Sequence, residues 1–451
     1  MEKKNNAALW KELRGLVIPI AIENFMLALV SATDAVMLRL IDQNSMAAVS
    51  LAGQVQFGLN LLVMGFCMGV GIMAAQYWGK RDTGTIGQIA PAGLKIVLLL
   101  GGSVTLAAWF APQRLMGILT NDPALIALGS IYLHTVAPAY LLCGITQIYF
   151  ALLKNTGGAA KSSSISSFAV VLNIGLNGVL IFGLLGFPAL GIRGAALATV
   201  ITRAVELLCA VWANRRFGHV QLQWRRLVKR TNRVLFGDYM RYTTPLVGAS
   251  LVWGVAFMLY SIIMGHLGSE AVAANSVTSV AKTLISCLSR GVGSGAGIMV
   301  GNLLGANQLE PAKRCGAKLT RLAAAAGACT GALLILLSPL LVRFAALTAV
   351  ASGYLRIMLA FCGINIMAQA VNHAVLDGIF GAGGDAKFDM YTNVFAMWCF
   401  SVPLGLLGAF VWKLPVPLVY CIVNLDEIVK LPAVFIHYRK YIWLRNITRE
   451  I

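Results

Sequence analysis

Twelve apolar runs of about 20 residues or more divide this chain, and an α-helix needs that length to cross the hydrocarbon core of a bilayer. Only 12% of the residues are charged, whereas soluble globular domains are about 25% charged. The runs lie near residues 15–38, 46–78, 90–111, 124–153, 162–185, 191–214, 240–265, 271–304, 321–342, 351–380, 390–411 and 416–437. The sequence therefore predicts an all-α polytopic membrane protein with 12 transmembrane helices.

Lysine and arginine residues concentrate in the loops on one side of these runs, and an excess of basic residues in short loops marks the cytoplasmic side. That side carries Lys3, Lys4, Lys11, Arg14, Lys80, Arg81, Lys154, Lys161, Lys313, Arg314, Lys318, Arg321, Lys387, Arg439, Lys440, Arg445 and Arg449 together with the basic residues of 215–241. The opposite side carries only Arg39, Arg114, Arg193, Arg343 and Lys413. We therefore predict a multi-pass protein of the inner (plasma) membrane with both termini in the cytoplasm.

A basic segment, residues 215–239, separates the first six runs from the last six. Its arginines fit a nucleic-acid or anionic-lipid site, or a solvated linker that lies on the membrane. We favour the linker, because the net charge of +19 follows the loops between apolar runs and thus reports orientation. The expected organisation is an N-terminal lobe (1–214), this linker, and a C-terminal lobe (240–451).

The two halves repeat one another at a shift of 226 residues. Gly65-x-x-x-Gly69-x-Gly71-Ile72-Met73 recurs as Gly291-x-x-x-Gly295-x-Gly297-Ile298-Met299, and Pro19 recurs as Pro245. Each half holds six runs, an even number, so both halves have the same orientation in the membrane. This pattern predicts two pseudo-symmetric six-helix bundles related by an axis along the membrane normal, as in transporters with a site between lobes. The repeated Gly-x-x-x-Gly elements predict close helix packing.

Two carboxylates, Glu23 and Asp34, interrupt the first apolar run. An acid at the bilayer centre costs about 2.5–3.5 kcal/mol on insertion scales, so it usually belongs to a relay or a binding site. We therefore favour a coupling role for Asp34 over that of a structural carboxylate bonded to neighbouring amides. Glu23 lies nearer the cytoplasmic end. Three interpretations stay open for it: a coupling role, exposure to water, or pairing with a nearby base.

Several further motifs make the chain resemble the MATE (multidrug and toxic compound extrusion) transporters over essentially its whole length. They are Pro19 to Asp34 followed by Ala47-Ala48-Val49, Gly183-x-x-Gly186-Phe187-Pro188 continuing to Thr199, Met264-Gly265-His266-Leu267-Gly268, Gly301-Asn302-x-x-Gly305-Ala306 and Trp443-Leu-Arg445-Asn446-Ile447-Thr448. The resemblance implies two six-helix bundles in a V shape. It also implies export of bulky, often cationic compounds against an inward sodium or proton gradient.

Two positions depart from the family pattern. Arg39-Leu-Ile-Asp42 stands where Gly-x-Leu-Gly usually follows the first helix. In the fifth helix, Asn177 stands where many relatives have an aspartate one turn after an asparagine, here Asn173. The second change removes a negative charge from the cation site that the resemblance implies, which weakens the expectation of tight sodium binding.

The expected coupling-ion site combines Asp34 with Asn173, Asn177 and Thr199, and Glu23 is a further candidate. A carboxyl that is alternately dry and hydrated can load and release a proton. The oxygens of the same residues are also the ligands that a hard cation such as sodium prefers, with Asp34 as the charged ligand. Both ions therefore remain open from the sequence.

The expected substrate-binding residues lie in the second half: Trp253, Tyr260, Lys282, His373 and Asp377. His373 and Asp377 are four residues apart, so they form either a pair that titrates or binds a cationic drug, or a solvated pair. Lys282 pairs with Asp377 or another acid, or binds an anionic part of the substrate, and we favour pairing. Arg203 with Glu206 is expected to form an internal ion pair, and Asp426, Glu427 and Lys430 a structural or gating group.

Together these observations predict an antiporter that exports lipophilic, mostly cationic drug-like compounds in exchange for protons or sodium by alternating access. The alternative is a flippase or exporter of a lipid-linked or anionic metabolite, which a strongly basic central cavity would favour. Neither clustered catalytic acids nor metal-ligand spacing is present in the sequence, so no enzyme and no cofactor besides the transported ion is expected. The expected partners are the substrate and membrane lipid, with no nucleic acid, and the expected state is a monomer.

Overall fold

A computed structural model describes the backbone of residues 2–39, 41–222, 224–227 and 232–450. It describes their side chains except those of residues 2–12, 31–32, 34–36, 39 and 225. In this part of the chain the only regular structure is helical. The helices are α1 (Glu2–Arg39), α2 (Gln43–Gly79), α3 (Thr83–Phe110), α4 (Pro112–Leu119), α5 (Pro123–Asn155), α6 (Ala159–Phe182), α7 (Ile192–Phe217), α8 (Arg233–His266), α9 (Ser269–Ile285), α10 (Cys287–Gly305), α11 (Leu309–Ala345), α12 (Ala349–Phe380), α13 (Ala386–Val411), α14 (Val416–Val423) and α15 (Asp426–Arg439).

Ten of the described helices are long and apolar enough to span a membrane. An eleventh span is the pair α9 and α10, which is bent by 43° at Ser286. The last run predicted from the sequence, 416–437, covers α14 and α15, which are separated at Asn424 and Leu425. The prediction of an all-α polytopic fold is thus confirmed, and two of the predicted spans consist of broken helices.

The chain forms two compact units. One, the N-terminal unit, contains Phe25–Ala74 and Asp82–Met240. The other, the C-terminal unit, contains the residues up to Asn24, Ala75–Arg81 and the chain from Arg241 onward. Both α1 and α2 therefore contribute to both units.

Within the C-terminal unit, the beginning of α1 packs against α10 at the second Gly-x-x-x-Gly element. A methyl group on Gly291 would lie 2.8 Å from the carbonyl oxygen of Val17, and one on Gly295 would lie 3.0 Å from the Val17 side chain. The absence of side chains at these glycines is what allows the two backbones to approach, as the sequence predicts for this element.

The end of α2 crosses the end of α10 in the same unit, and the contact obeys the repeat. Gly79 packs on the carbonyl group of Asn302, and Gly305 packs on the carbonyl group of Gln76. Each of these pairs becomes the other when 226 is added or subtracted. The residues after the two helices also match, because Arg81 and Asn307 both adopt left-handed backbone conformations, with φ of 64° and 59°.

The C-terminal segment Trp443–Arg449 is bound to this crossing. The buried side chain of Gln76 donates to the carbonyl oxygens of Ala382 (2.7 Å) and Arg445 (3.3 Å), and its own oxygen accepts from the amide of Ile447 (2.8 Å). Arg445 donates in turn to the carbonyls of the Gly383–Gly384 turn at 2.7 and 2.6 Å. These contacts tie the segment to helix ends far away in sequence.

Asp42 departs from the Gly-x-Leu-Gly pattern of the family, and the structure explains why an aspartate fits there. The equivalent residue in the second half is Gly268, which adopts φ +110° before α9, a conformation that favours glycine. Asp42 instead caps α2, because its carboxylate accepts from the backbone amide (2.7 Å) and the hydroxyl (2.6 Å) of Ser45. The first half therefore begins its second helix with a side-chain cap where the second half uses a glycine.

The basic linker is partly packed against the N-terminal unit. Val220 and Leu222 are buried, and Asn214 binds the backbone of both. Trp224 donates its indole N–H to the hydroxyl of Tyr149 at 2.9 Å. The described part of the linker is thus anchored to the protein, in addition to being basic.

Candidate functional site

A small polar cavity lies between α1, α6 and α7 in the N-terminal unit. Its volume is about 60 Å³. It is lined by Leu27, Val30, Ser166, Ala169, Val170, Asn173, Thr199, Thr202, Arg203 and Glu206. Two of the predicted coupling residues, Asn173 and Thr199, are therefore brought to one cavity.

The amides of α6 are held in a short chain of hydrogen bonds. Asn177 donates to the side-chain oxygen of Asn173 at 3.2 Å, and Asn173 donates to the hydroxyl of Thr202 at 3.5 Å. Both asparagines are buried. Thr199 donates its hydroxyl to the carbonyl of Ala195, which leaves the oxygen of that hydroxyl as an acceptor at the cavity wall.

An ion pair forms one side of the cavity. Arg203 and Glu206 are 2.6 Å apart, and Glu206 is almost fully buried. The structure confirms this internal pair, which the sequence predicts. The sequence gives no sign, however, that the pair lines the same cavity as Asn173. A buried carboxylate with its own guanidinium adds no net charge to the cavity.

Of the two carboxylates of α1, only that of Glu23 lies in the described part of the structure. The side chain of Asp34 lies outside the described part of the structure. Glu23 is buried and belongs to the C-terminal unit, so the interpretation that it faces water is wrong.

A second group of polar residues is buried in the C-terminal unit, around the first turn of α15. The ammonium of Lys430 lies 3.2 Å from Asp426 and 3.4 Å from Glu427, and all three side chains are largely buried. Asn372 of α12 donates to the carboxylate of Glu427 at 2.7 Å and to its carbonyl oxygen at 2.8 Å. This group is an ion network buried within the C-terminal unit, and its contact with Asn372 joins two helices that sequence spacing alone does not connect.

Two further residues extend the network. Asp389 of α13 is buried and accepts a hydrogen bond from Asn393 at 2.9 Å. Lys282 of α9 donates to Asn424 at 3.4 Å. Among the described residues no salt bridge joins Lys282 to Asp377, so pairing with that acid is wrong. Lys282 instead binds Asn424, at the break between α14 and α15, and interacts electrostatically with a different acid, Asp426.

His373 and Asp377 are joined by a hydrogen bond of 2.6 Å between Nδ1 and the carboxylate. Their side chains are 26% and 40% exposed, so the pair is only partly buried. It stands at the start of a π-helical stretch, His373–Phe380, within α12. Gly293 and Gly297 of α10 pack directly on the backbone of this stretch and fix its position.

Trp253 and Tyr260 lie on α8 in a mainly apolar environment. Trp253 stacks on Phe257 with ring centroids 5.5 Å apart, and Phe257 is exposed. Tyr260 is buried in a hydrophobic cluster with Met397, Val402 and Val419. The stacked pair therefore offers an aromatic surface, whereas Tyr260 forms part of the core.

Comparison with known proteins identifies the chain. A family model described as MatE matches residues 19–179 and matches again at 245–407, and the two matches begin 226 residues apart. The chain belongs to the MatE family. The resemblance to MATE transporters is thereby confirmed, and the chain is a multi-pass membrane transporter of a multidrug-efflux family and not an enzyme.

Relatives of this MatE transporter cover most of its length. It is 24% identical to the uncharacterized transporter YisQ of Bacillus subtilis, over 96% of this chain and 95% of that protein. It is 24% identical to the multidrug resistance protein PmpM of Pseudomonas aeruginosa, over 88% and 83% of the two chains. It is 26% identical to the probable multidrug resistance protein NorM of Rhizobium meliloti, over 85% of each.

Solved structures show the same fold. A MOP superfamily transporter from Pyrococcus furiosus superposes on this MatE transporter with a TM-score of 0.86 at 19% identity, over 96% of this chain and 95% of that one. A MATE protein in complex with MaL6 gives a TM-score of 0.86 at 20% identity, over 96% of both chains. At this identity the agreement concerns the fold alone.

Sequence reasoning missed three residues of these sites: Asn365, Asn372 and Asp389. Asn365 donates to the carbonyl oxygen of Asn424 at 2.9 Å, and Asn372 binds Glu427. The available signal was two asparagines seven residues apart in an apolar helix, which places them on one face. Asp389 gave a weaker signal, because it lies only a few residues from the predicted cytoplasmic loop of this MatE transporter.

Proposed function

We propose that this MatE transporter exports lipophilic, mostly cationic compounds in exchange for protons by alternating access, with Asp34 as the principal coupling carboxyl. Sodium is the competing coupling ion. The names of its relatives PmpM and NorM as multidrug resistance proteins support the substrate class. The predicted orientation, with both termini in the cytoplasm, and the monomeric state belong to the same proposal.

The observation that carries the proposal is the polar cavity between α1, α6 and α7. One water molecule occupies about 30 Å³ of liquid. A cavity of about 60 Å³ therefore has room for an ion or one or two waters, and not for a drug-sized compound. It is suited to a coupling ion and requires the substrate to bind elsewhere.

The register of α1 supports the assignment of Asp34. Leu27 and Val30 line the cavity, and Asp34 follows them by seven and four residues on the same helix. Residues with these spacings share one face of a helix. An acid within a membrane span is usually retained for a relay or a binding site.

The oxygens available in the cavity favour a proton over sodium. Arg203 and Glu206 both line it and neutralise one another, so this pair leaves no free carboxylate for a hard cation. The oxygen of Asn173 already accepts a hydrogen bond from Asn177, so it is less available as a ligand. A proton needs only the carboxyl of Asp34, whereas sodium needs several free oxygens.

Coupling follows if protonation of Asp34 and binding of substrate favour different conformations. An ion can shift a conformational equilibrium only by the difference in its affinity for the two states. We propose that Asp34 is buried in one state and hydrated in the other, which would supply that difference.

For the substrate, we propose the stacked surface of Trp253 and Phe257 and the partly exposed His373–Asp377 pair. The ring faces can bind a lipophilic cation, and the carboxylate supplies a counter charge. Lys282, whose alternative role was to bind an anionic part of the substrate, donates to Asn424 and interacts electrostatically with Asp426 and Glu427. Tyr260 contributes by supporting the wall on which Trp253 lies.

The test uses membrane vesicles loaded with a fluorescent lipophilic cation, under an imposed proton gradient or an imposed sodium gradient. The parent should transport under the proton gradient, and Asp34→Asn should lose that dependence. Asp42→Asn is the matched control, because Asp42 is an exposed carboxylate just after the same helix. Transport by the parent under the sodium gradient alone would contradict the choice of ion, and unchanged proton-driven transport in Asp34→Asn would contradict the role of Asp34.

A further inference from the structure

The carboxyl of Asp389 is buried without a positively charged partner of its own. Its exposed fraction is 6%, and its hydrogen-bond donor is the neutral amide of Asn393. Among the described residues, the salt bridges of this unit join other pairs: Lys430 with Asp426 and Glu427, His373 with Asp377, and His437 with Asp385. Removing an ionised carboxylate from water without a paired cation is strongly unfavourable.

Two acidic side chains and one lysine act on Asp389 electrostatically. Asp377 of α12 and Glu427 of α15 act on it with like charge, and Lys430 acts with opposite charge. Other titratable groups lie on the helices around this network. They are His373 of α12, Asp426 and His437 of α15, Lys282 of α9, and Asp385 and Lys387, which are close to Asp389 in sequence. Lys430 is already shared by Asp426 and Glu427, so it cannot fully compensate a third acid.

A second observation points to a missing hydrogen-bond donor in this network. The amide nitrogen of Asn372 donates to Glu427, but the amide oxygen Oδ1, although buried, accepts no hydrogen bond from the described residues. The side chain of Asn372 is only 4% exposed. A buried acceptor without a donor is costly, and a protonated carboxyl or a water that carries the proton would satisfy it.

The His373–Asp377 pair supplies a route for such a proton. It is the partly exposed end of the network, and Asp377 is close enough to Asp389 to interact electrostatically. Nε2 of His373 is buried and without a hydrogen-bond partner among the described residues, whereas Nδ1 binds Asp377. Imidazole with two inequivalent nitrogens can take a proton on one side and deliver it from the other.

We propose that Asp389 is a second proton-binding carboxyl of this transporter, loaded from water through the His373–Asp377 pair and emptied when substrate binds. The proton passes from hydronium to the imidazole of His373, and from there, through water, to the carboxylate of Asp389; no other bond changes. The transport role rests on the proposed proton coupling, whereas the proton-binding role of Asp389 does not. Asp389 and Asp34 lie in different compact units, so each unit would hold one titrating carboxyl.

The test is infrared difference spectroscopy of the purified full-length protein in lipid, with the carbonyl band of protonated carboxyls as the readout. The parent should show a band that disappears as the pH is raised and decreases when the lipophilic cation tetraphenylphosphonium is added. Asp389→Asn should lose the component of this band that remains in Asp34→Asn, Asp389→Glu should shift that component, and Asp122→Asn, at an exposed helix cap, should leave it unchanged.

A band that persists unchanged in Asp389→Asn would overturn the assignment. A band that belongs to Asp389 but does not respond to the cation would overturn its part in transport. If vesicle transport proves to be driven by sodium while the Asp389 band is present, the proposed proton coupling fails and the proton site stands. If Asp389→Asn is unstable, the shift in Asp389→Glu decides alone.

Discussion

The backbone of Gly79 lies directly against the carbonyl group of Asn302, where the ends of α2 and α10 cross. The equivalent contact, with the roles of the two helices exchanged, joins Gly305 of α10 to the carbonyl group of Gln76 of α2, because α2 and α10 occupy equivalent positions in the two halves of the repeat. The C-terminal segment is bound over this crossing through Gln76 and Arg445.

Gly79→Ala should therefore destabilise the crossing. The added methyl group has no room against the Asn302 carbonyl, and overpacking of this kind typically costs about 1–3 kcal/mol. We expect a lower melting temperature in detergent. Gly53→Ala on the same helix is the control, since nothing lies within 4 Å of a methyl group there. Equal melting temperatures for the two variants would contradict the tight crossing.

Gln76→Leu should release the C-terminal segment. It removes hydrogen bonds to Ala382, Arg445 and Ile447, each of which contributes about 1 kcal/mol net. Limited proteolysis after Arg445 or Arg449 should become faster in this variant than in the parent. Gln56→Leu, at an exposed position of the same helix, should leave the cleavage rate unchanged. Cleavage of the parent and Gln76→Leu at one rate would show that the segment is held by other contacts.

Removing the charge of Lys430 should be more damaging than removing that of Asp389. Lys430→Met leaves Asp426 and Glu427 buried without their ammonium, and loss of one partner of a buried ion pair typically costs about 3–5 kcal/mol. Asp389→Asn removes an acid that has no such partner and keeps its shape. Thermal unfolding in detergent compares the two, and a larger loss in Asp389→Asn would contradict this description of the network.

The cap at Asp42 should make a small, pH-dependent contribution to stability. The hydroxyl and then the backbone amide of Ser45 lower the pKa of this carboxyl below its usual value, since both hydrogen bonds favour the charged form. A lowered folded-state pKa means that the stabilisation is present above the unfolded-state pKa and is lost as the pH falls through the folded-state value.

Asp42→Ala should accordingly cost about 1 kcal/mol at neutral pH, as for other helix caps, and much less once the pH falls below the folded-state pKa of Asp42. The measurement is the melting temperature of the two proteins at several pH values. Ser45→Ala keeps the amide donor and should fall between them. A difference that stays constant down to acid pH would show that the carboxylate is not the stabilising form.

Local features of these sites were predictable from the sequence. The pairs Arg203–Glu206 and His373–Asp377 are three and four residues apart, and helical geometry alone brings such side chains together. The spans and the repeat follow from apolar run length and from glycines at a fixed shift. Each of these predictions needs only one helix, or one comparison of the halves.

Contacts between distant segments were not predictable in the same way. Asn372 reaches Glu427 across 55 positions, and Gln76 reaches Ile447 across 371. No periodicity specifies which helices meet, so an asparagine in an apolar helix gives no sign of its partner. The expected Lys282–Asp377 pair was wrong for this reason, because the helix break at Asn424 offered a nearer oxygen.

Proton coupling through Asp34 is tested most directly by proton movement that the substrate itself drives. Proteoliposomes with a trapped pH indicator and no imposed gradient receive tetraphenylphosphonium on one side, with and without sodium. The account predicts a substrate-driven pH change in the parent that does not require sodium and is lost in Asp34→Asn but kept in Asp42→Asn. A pH change of the parent's size in Asp34→Asn, or none in the parent, would contradict it.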